Sequence, residues 1–414
     1  MKIYLESNCC TRRNYEMTKV YNYFLLNDYE VISHPKGADY IVLSTCAFKQ
    51  QEEEYSLSRI RFLKQFPAKF YVFGCLPDIA PKKFSEFAGI ESIAPKDLAK
   101  IDSLFPNVIV RYSEIEDMDV MANEPATSPV PTALQKFKRD FKLSGTFGMR
   151  IVRYLEKKIE FVLKPNGKIS YLHICKGCLG NCSYCAIKRA IGALESRSLG
   201  TILRQFDKAL GEGYTDFVIL GDDVGAYGRD IDQTFPELLS HLVKERERSP
   251  KGQPGSGKNS HEIGFHIQEI HPKWLMLYKQ TMLDLIASGK IKSILCPIES
   301  GNNRILDLMN RRYNADDILE FFQKARAIYP EIELSTHLIV GFPSESEEEF
   351  EETLSLTKRI HFDKVTIFPY DPREGTAASN ITPQTDERIK KRRLKKAQDS
   401  LRRDKIKTFL SCPE

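Results

Sequence analysis

What the chain lacks narrows it first. Nowhere in its 414 residues do about eighteen apolar residues run together, so neither a transmembrane helix nor a membrane partner is expected. The start, MKIYLESNCC, has one lysine and then a polar break, and it reads as no secretory signal. There is no Ser/His/Asp triad signal and no internal repeat. Neither sign of charge dominates: 61 Lys and Arg against 56 Asp and Glu leave a formal +5, which alone says nothing firm about nucleic acid. Cysteine, by contrast, is plentiful, at ten. Without an export signal a reducing, cytoplasmic setting is expected, where clustered thiols point to metal rather than disulfides.

The length exceeds one ordinary core, so two or three domains are expected. Over residues 1–115 the runs KIYLES, YEVISH, YIVLSTC, KFYVFGC and NVIVRY read as strands. Helical spacing appears between them, as in EEEYSLSRIRFLKQF, and this alternation predicts a parallel sheet covered by helices. Residues 116–145 read as a linker, with the Pro-, Ser- and Thr-rich ANEPATSPVPTALQ at 122–135. A second α/β region over 146–380 has strand candidates TDFVILG, IGFHIQEI, SILCPIE, LSTHLIVG and KVTIFPY. Its helix candidates include LGTILRQFDKALGEG and NADDILEFFQKARAIYP, and Ser346 with Glu349 forms a capping box before FEETLSLTKRI. Repeated βα units predict a full or partial (β/α) barrel. Residues 246–261 read as a surface loop. The tail, 381–414, predicts one basic helix with Leu394, Ala397 and Leu401 on a common face. It carries eleven Lys and Arg against five Asp and Glu, either a solvated face or a set of phosphate contacts.

The densest chemistry lies in YLHICKGCLGNCSYCAIKRA, residues 171–190. Cys178, Cys182 and Cys185 follow a strand at C-x-x-x-C-x-x-C spacing. Three thiolates so placed suit three irons of a [4Fe–4S] cluster and leave the fourth iron open to a small molecule. Structural zinc normally takes four protein ligands in paired spacings. Three unligated cysteines on a loop are the bland alternative. Tyr184, before the last cysteine, adds to the pattern, and Cys175 falls outside it as a buried bystander.

These cysteines resemble those of the radical S-adenosylmethionine (SAM) enzymes. The phrases VILGDDVGAYGRDI, PIESGNNRILDLMNRRY, LSTHLIVGFPSESEEEFEETLSL and FDKVTIFPYDPREGTAAS sharpen the likeness. Over residues 1 to about 405 they are similar to the methylthiotransferase family, above all its branch acting on threonylcarbamoyl-adenosine in tRNA. The resemblance implies a flavodoxin-like N-terminal domain followed by a radical SAM partial barrel. It also implies a second [4Fe–4S] cluster on Cys10, Cys46 and Cys75, each ending a β-run. Cys9 stands where the family usually has glycine, and it is either a bystander or an alternative ligand; Cys10 is preferred.

For SAM the resemblance implies Gly221 and Asp222, whose carboxylate would accept from the ammonium group. It implies Ser196 and Arg197 near the SAM carboxylate or ribose, and Glu299 and Ser300 at a strand end. Gly341 and Phe342 would let backbone approach the adenine. A packing or capping role is the alternative for each. Two further residues depart from the family pattern: His337 stands for aspartate and Arg13 for asparagine. The family's C-terminal RNA-binding TRAM barrel is expected to be absent, because the sequence stops at LSCPE.

The implied activity replaces a substrate C–H with C–SCH3, one SAM giving the radical and another the methyl group. The substrate is expected to be a peptide or natural-product precursor, or a tRNA adenosine derivative. The implied partners are an electron donor such as flavodoxin or ferredoxin, and the protein is expected to be a monomer. Two alternatives stay open: a radical enzyme forming another C–S or C–C bond, with the N-terminal cluster as auxiliary site, and a non-catalytic Fe–S/SAM sensor.

Overall fold

A computed structural model describes residues 1–115, 168–248 and 263–410. The expected linker and most of the expected 246–261 loop lie outside the described residues. The chain divides into two compact units. The first ends at Ser170 and includes Glu212–Thr215; the second takes the rest.

In the first unit five strands form one sheet: β1 (Lys2–Ser7), β2 (Glu30–Ile32), β3 (Tyr40–Thr45), β4 (Lys69–Gly74) and β5 (Glu91–Ile93). Their spatial order is β2-β1-β3-β4-β5, and every pairing is parallel. That is the flavodoxin-like order, whose ligand sites lie beyond the carboxyl ends of the strands. β1, β3 and β4 are buried over nearly their whole length, as a sheet with both faces covered requires. Helix α1 (Thr11–Leu26) lays Met17, Val20, Tyr23 and Phe24 into this core. Phe105 closes it, with ring centroids 4.8 Å from Phe24 and 4.9 Å from Tyr71. Each such aromatic contributes about 1.5–3 kcal/mol by burial. Helix α2 (Gln50–Leu63) packs on β3.

One expected strand is absent. NVIVRY forms no ladder, because Asn27 at the end of α1 captures its backbone. The Asn27 Oδ1 accepts from Ile109 N (2.6 Å) and Val110 N (2.9 Å), and its Nδ2 donates to Val110 O (2.9 Å). The fifth strand is instead ESI, three residues and too short a run to read as a strand from sequence.

Among the described residues the second sheet has eight strands, all in the second unit but for the first residues of β6 and β8: β6 (Lys168–Lys176), β7 (Glu195–Ser196), β8 (Tyr214–Gly221), β9 (Gly264–Ile267), β10 (Ile291–Leu295), β11 (Glu333–Val340), β12 (Lys364–Pro369) and β13 (Lys407–Leu410). Their order is β13-β12-β11-β10-β9-β8-β6-β7. The pairings from β8 through to β13 are parallel, and β7 turns back antiparallel on β6. Its helices longer than one turn are α3 (Leu199–Gly211), α4 (Phe235–Arg248), α5 (Pro272–Leu277), α6 (Lys279–Ala287), α7 (Asn303–Leu308), α8 (Ala315–Ile328), α9 (Glu347–Ile360) and α10 (Glu387–Arg403). Sequential βα order across one open, curved sheet is the expected partial barrel.

The capping box stands as read: the Ser346 hydroxyl accepts from Glu349 N, and the Glu349 carboxylate accepts from Ser346 N. The C-terminal expectation needs two corrections. The basic helix ends at Arg403, and the chain then adds β13 at the edge of the sheet. The common face of Leu394, Ala397 and Leu401 is buried as read, but Lys390, Arg393 and Ser400 are buried with it.

Candidate functional site

In the first unit the adjacent strands β1, β3 and β4 each deliver cysteine just past their carboxyl ends. Cys10 is the N-cap of α1, Cys46 follows β3, and Cys75 follows β4. Gly74 makes this possible. Its φ is +98°, and a Cβ there would lie 2.3 Å from Thr45 O. The close approach lets Cys75 N donate to Thr45 O at 2.9 Å, beside Cys46.

The thiols feel one another: Cys9, Cys10 and Cys46 all push the Cys75 thiol up, after burial as the main cause, and Arg13 opposes them. Arg13 is buried and ion-paired with Glu16 at 2.7 Å. Cys9 is buried, with its Sγ 3.1 Å from Ser44 Oγ, whereas Cys10 is exposed. Asn14 braces the turn, its Oδ1 accepting from Ser7 Oγ (2.7 Å) and its Nδ2 donating to Cys9 O (3.3 Å).

In the second unit the other three cysteines lie on the loop leaving β6. Gly177 opens it with φ +76°, where a Cβ would sit 1.8 Å from Ala193 O. Backbone contacts then clamp the loop: Ser183 N to Met309 O (3.0 Å), Ala378 N to Ser183 O (2.9 Å) and Cys185 N to Cys182 O (3.1 Å). Gly180 N donates to Cys178 Sγ at 3.0 Å, the kind of N–H contact that settles a ligating sulfur. Burial and then the Asp223 carboxylate push the Cys178 thiol up, so a metal bound there would release a proton.

Four polar residues of this unit surround the loop. Arg311, buried, donates Nη1 to Cys182 Sγ (3.6 Å) and Tyr184 OH (3.2 Å), and Nη2 to Pro297 O. Tyr184 OH donates to Glu299 Oε1 at 3.1 Å. Asp223 takes the Cys178 thiol on Oδ2 (3.4 Å) and the Trp274 indole N–H on Oδ1 (2.7 Å). His271 Nε2 is 4.0 Å from Cys182 Sγ, and its Nδ1 accepts from Lys273 N at 3.1 Å.

Burial, then Arg311 and Lys273, hold the His271 pKa well below its ordinary 6.5. It is neutral in the fold, whereas in the unfolded chain it protonates below pH 6.5. The unfolded state then binds more protons, so this residue costs stability as pH falls through that range. In denaturant titrations of the unloaded protein, His271→Gln is expected to flatten the loss between pH 6.5 and 5; an unchanged acid limb would contradict this.

The other sequence candidates already have partners. Ser196 Oγ accepts from Gly228 N (2.9 Å), and Asp222 Oδ2 accepts from Gly177 N (2.9 Å). Arg197 Nη1 donates to His173 O and Gln205 Oε1. Ser300 Oγ meets Thr353 Oγ1 at 3.2 Å. Phe342 is buried in a cluster with Ile305, Met309 and Tyr370, against which Tyr184 also packs. Gly341 N donates to Glu345 Oε2 at 2.7 Å. Cys175 is fully buried, its Sγ against Asp223 O at 3.6 Å. Sequence reasoning passed over Arg311, Asp223 and His271; for Arg311, only its place in the quoted MNRRY phrase pointed toward the site.

Among the described residues no three His, Cys, Asp or Glu side chains are arranged to hold one metal ion. The fit to clusters therefore rests on the donor sets, three thiols each, in place of the paired four-ligand set of structural zinc.

A three-cysteine loop after the first strand of a sequential parallel half-barrel marks a radical SAM enzyme, and residues 172–357 match the Radical SAM superfamily model. Residues 2–94 match the model described as Uncharacterized protein family UPF0004. The probable threonylcarbamoyladenosine tRNA methylthiotransferase of Pyrococcus horikoshii is 28% identical, over 92% of this chain and 79% of that one. The tRNA-2-methylthio-N(6)-dimethylallyladenosine synthase of Geobacillus kaustophilus is 26% identical, over 96% and 68%. The ribosomal protein uS12 methylthiotransferase of Thermotoga maritima is 28% identical, over 88% and 75%. Among solved structures, the radical SAM methyltransferase TsrM of Kitasatospora setae shares the fold, with TM-score 0.61 at 12% identity over 91% of this chain and 77% of that one.

The chain therefore carries a Radical SAM domain and a UPF0004 domain, and it is similar along most of its length to radical SAM methylthiotransferases. The cofactors that go with that pairing of domains are two [4Fe–4S] clusters and SAM. No helix among the described residues is long and apolar enough to cross a membrane.

Proposed function

We propose that this enzyme methylthiolates an adenosine derivative in tRNA, with threonylcarbamoyl-adenosine as the first candidate. The observation that carries the reading is the pair of cysteine trios, one just past the carboxyl ends of β1, β3 and β4 and one on the loop leaving β6, in a chain whose tRNA-modifying relatives align along most of its length. Cys178, Cys182 and Cys185 would hold one cluster, and Cys10, Cys46 and Cys75 the other. When bound, these groups and SAM supply the radical that takes the substrate hydrogen and the methylthio sulfur that replaces it.

The protein's own part is binding and orientation. Arg311 and the Tyr184–Glu299 pair brace the loop around Cys182 and keep a cation beside its sulfur. Asp223 fixes the Cys178 thiol from the other side, itself held by Trp274. An adenine would approach the backbone at Gly341, next to Phe342, whose ring is itself buried among Ile305, Met309 and Tyr370. No general base is required for hydrogen abstraction, which accords with the absence of a triad. The peptide or natural-product precursor gains no support from these comparisons, and tRNA replaces it as the leading substrate.

The test is nucleoside mass spectrometry. Unmodified and threonylcarbamoylated tRNA transcripts are incubated with the reconstituted enzyme, SAM and a chemical reductant, then digested. A nucleoside carrying methylthio in place of hydrogen is expected. SAM cleavage without any such product on either RNA would overturn the reading.

A further inference from the structure

We propose that the outer face of α10 is a phosphate-contact surface for the RNA substrate, formed by Arg388, Lys391, Lys395 and Arg402; this rests on the tRNA reading above. Eight of the nine cations of α10 fall into two groups; the ninth, Arg403, is exposed and donates to the Asp399 carbonyl. One group is paired with carboxylates, Lys390 and Arg393 being buried and Arg392 and Lys396 exposed. Arg393 meets Glu345 at 2.7 Å, Arg392 meets Glu347 at 3.2 Å, Lys396 meets Glu347 at 2.9 Å, and Lys390 meets Glu387 at 2.7 Å. The other group, Arg388, Lys391, Lys395 and Arg402, is exposed, and no carboxylate among the described residues forms an ion pair with it.

At about 100° per residue these four fall within a sector of about 60°, spread over about 21 Å of helix. Lys391 lies one turn from both Arg388 and Lys395, and like charges at that spacing repel and weaken a helix. An anionic partner relieves that repulsion. Asp399 stands at the edge of the stripe, where its carbonyl accepts from Arg403 Nε at 3.2 Å. Arg402 Nε rests on Thr408 Oγ1 at 3.1 Å and leaves the rest of its fork outward.

The helix is also held firmly, and its start lies beside the site. Thr385 Oγ1 donates to Phe342 O at 3.0 Å, and Lys390 packs against Gly341, just past the carboxyl end of β11. The stripe therefore leads away from the rim where the cysteine loop lies. Such a rigid row of cations suits a phosphate backbone whose target nucleotide enters at that rim.

The experiment measures binding of the full, reconstituted protein to an unmodified tRNA transcript across a salt series. A variant carrying Arg388→Gln, Lys391→Gln, Lys395→Gln and Arg402→Gln is compared with wild type. A charge-matched control neutralises Lys36, Lys64, Arg204 and Lys208, all exposed elsewhere. Each lost phosphate contact lowers the slope of log K against log salt by about 0.7–0.9, so a drop of about 3 is expected, with the control near wild type. Equal slopes in variant and wild type would overturn the surface while leaving the tRNA reading intact. A wild type with no salt-dependent tRNA binding would overturn both. Iron content and melting temperature check folding; should the quadruple variant fail, Lys391→Gln/Lys395→Gln and Arg388→Gln/Arg402→Gln are each expected to show about half the change.

Discussion

A Cys178/Cys182/Cys185→Ala variant is expected to lose about four of about eight irons per chain, each [4Fe–4S] cluster holding four, and to form no 5′-deoxyadenosine from SAM. The loop should survive the change, because the backbone contacts of Ser183 with Met309 and Ala378, and of Cys185 with Cys182, do not involve the thiols. A Cys10/Cys46/Cys75→Ala variant is expected to lose the other four irons, still cleave SAM, and yield no methylthio product. Iron and sulfide analysis with electron paramagnetic resonance after anaerobic reconstitution reads both variants against wild type. About four irons in wild type and in the second variant alike would sink the second cluster. Within the first unit, Cys9→Ser is expected to keep full iron, since its thiol is buried against Ser44, and Cys10→Ser to lose about four.

Arg393→Ala carries the largest expected cost in stability, about 3–5 kcal/mol, because it strands a buried carboxylate. Glu345 is buried, and its Oε2 serves both Arg393 Nη1 and Gly341 N, each at 2.7 Å. Burial pushes its pKa up to about 7 even with Arg393 opposing. The folded state therefore holds that proton more tightly than the unfolded chain, and stability falls as pH rises from about 4.5 toward 7. Without the cation the carboxyl titrates higher still, so the deficit of Arg393→Ala should grow as pH rises past about 7. Adding Glu345→Gln should recover part of it. Melting temperature against pH checks both points; a deficit independent of pH would mean that Arg393 acts through packing alone.

Much of this was legible because the signals are local. Alternating apolar runs and helical spacing fixed both α/β regions, and the capping box marked the start of α9 to the residue. The spacing of Cys178, Cys182 and Cys185 needed no tertiary knowledge, since eight residues of one loop carry all three. Cys10, Cys46 and Cys75 were legible only through resemblance, because they are far apart in the chain and meet only through the β1-β3-β4 order. NVIVRY has strand composition, yet it lost its ladder to one asparagine more than eighty residues away. The basic tail could not be sorted into paired and exposed cations from sequence, because no pattern in it reveals the glutamates of α9 and its preceding loop that pair with Arg393.

The sequence by itself determined which atoms the protein brings to its chemistry: two trios of thiols, and the alternation that places each after a strand. Tertiary structure alone decided their surroundings. It set Arg311 and His271 beside Cys182, set Asp223 against Cys178, and sorted the cations of α10 into paired and unpaired faces. Periodicity and spacing act over a few residues, whereas burial and charge pairing depend on which distant segments the folded sheet brings together.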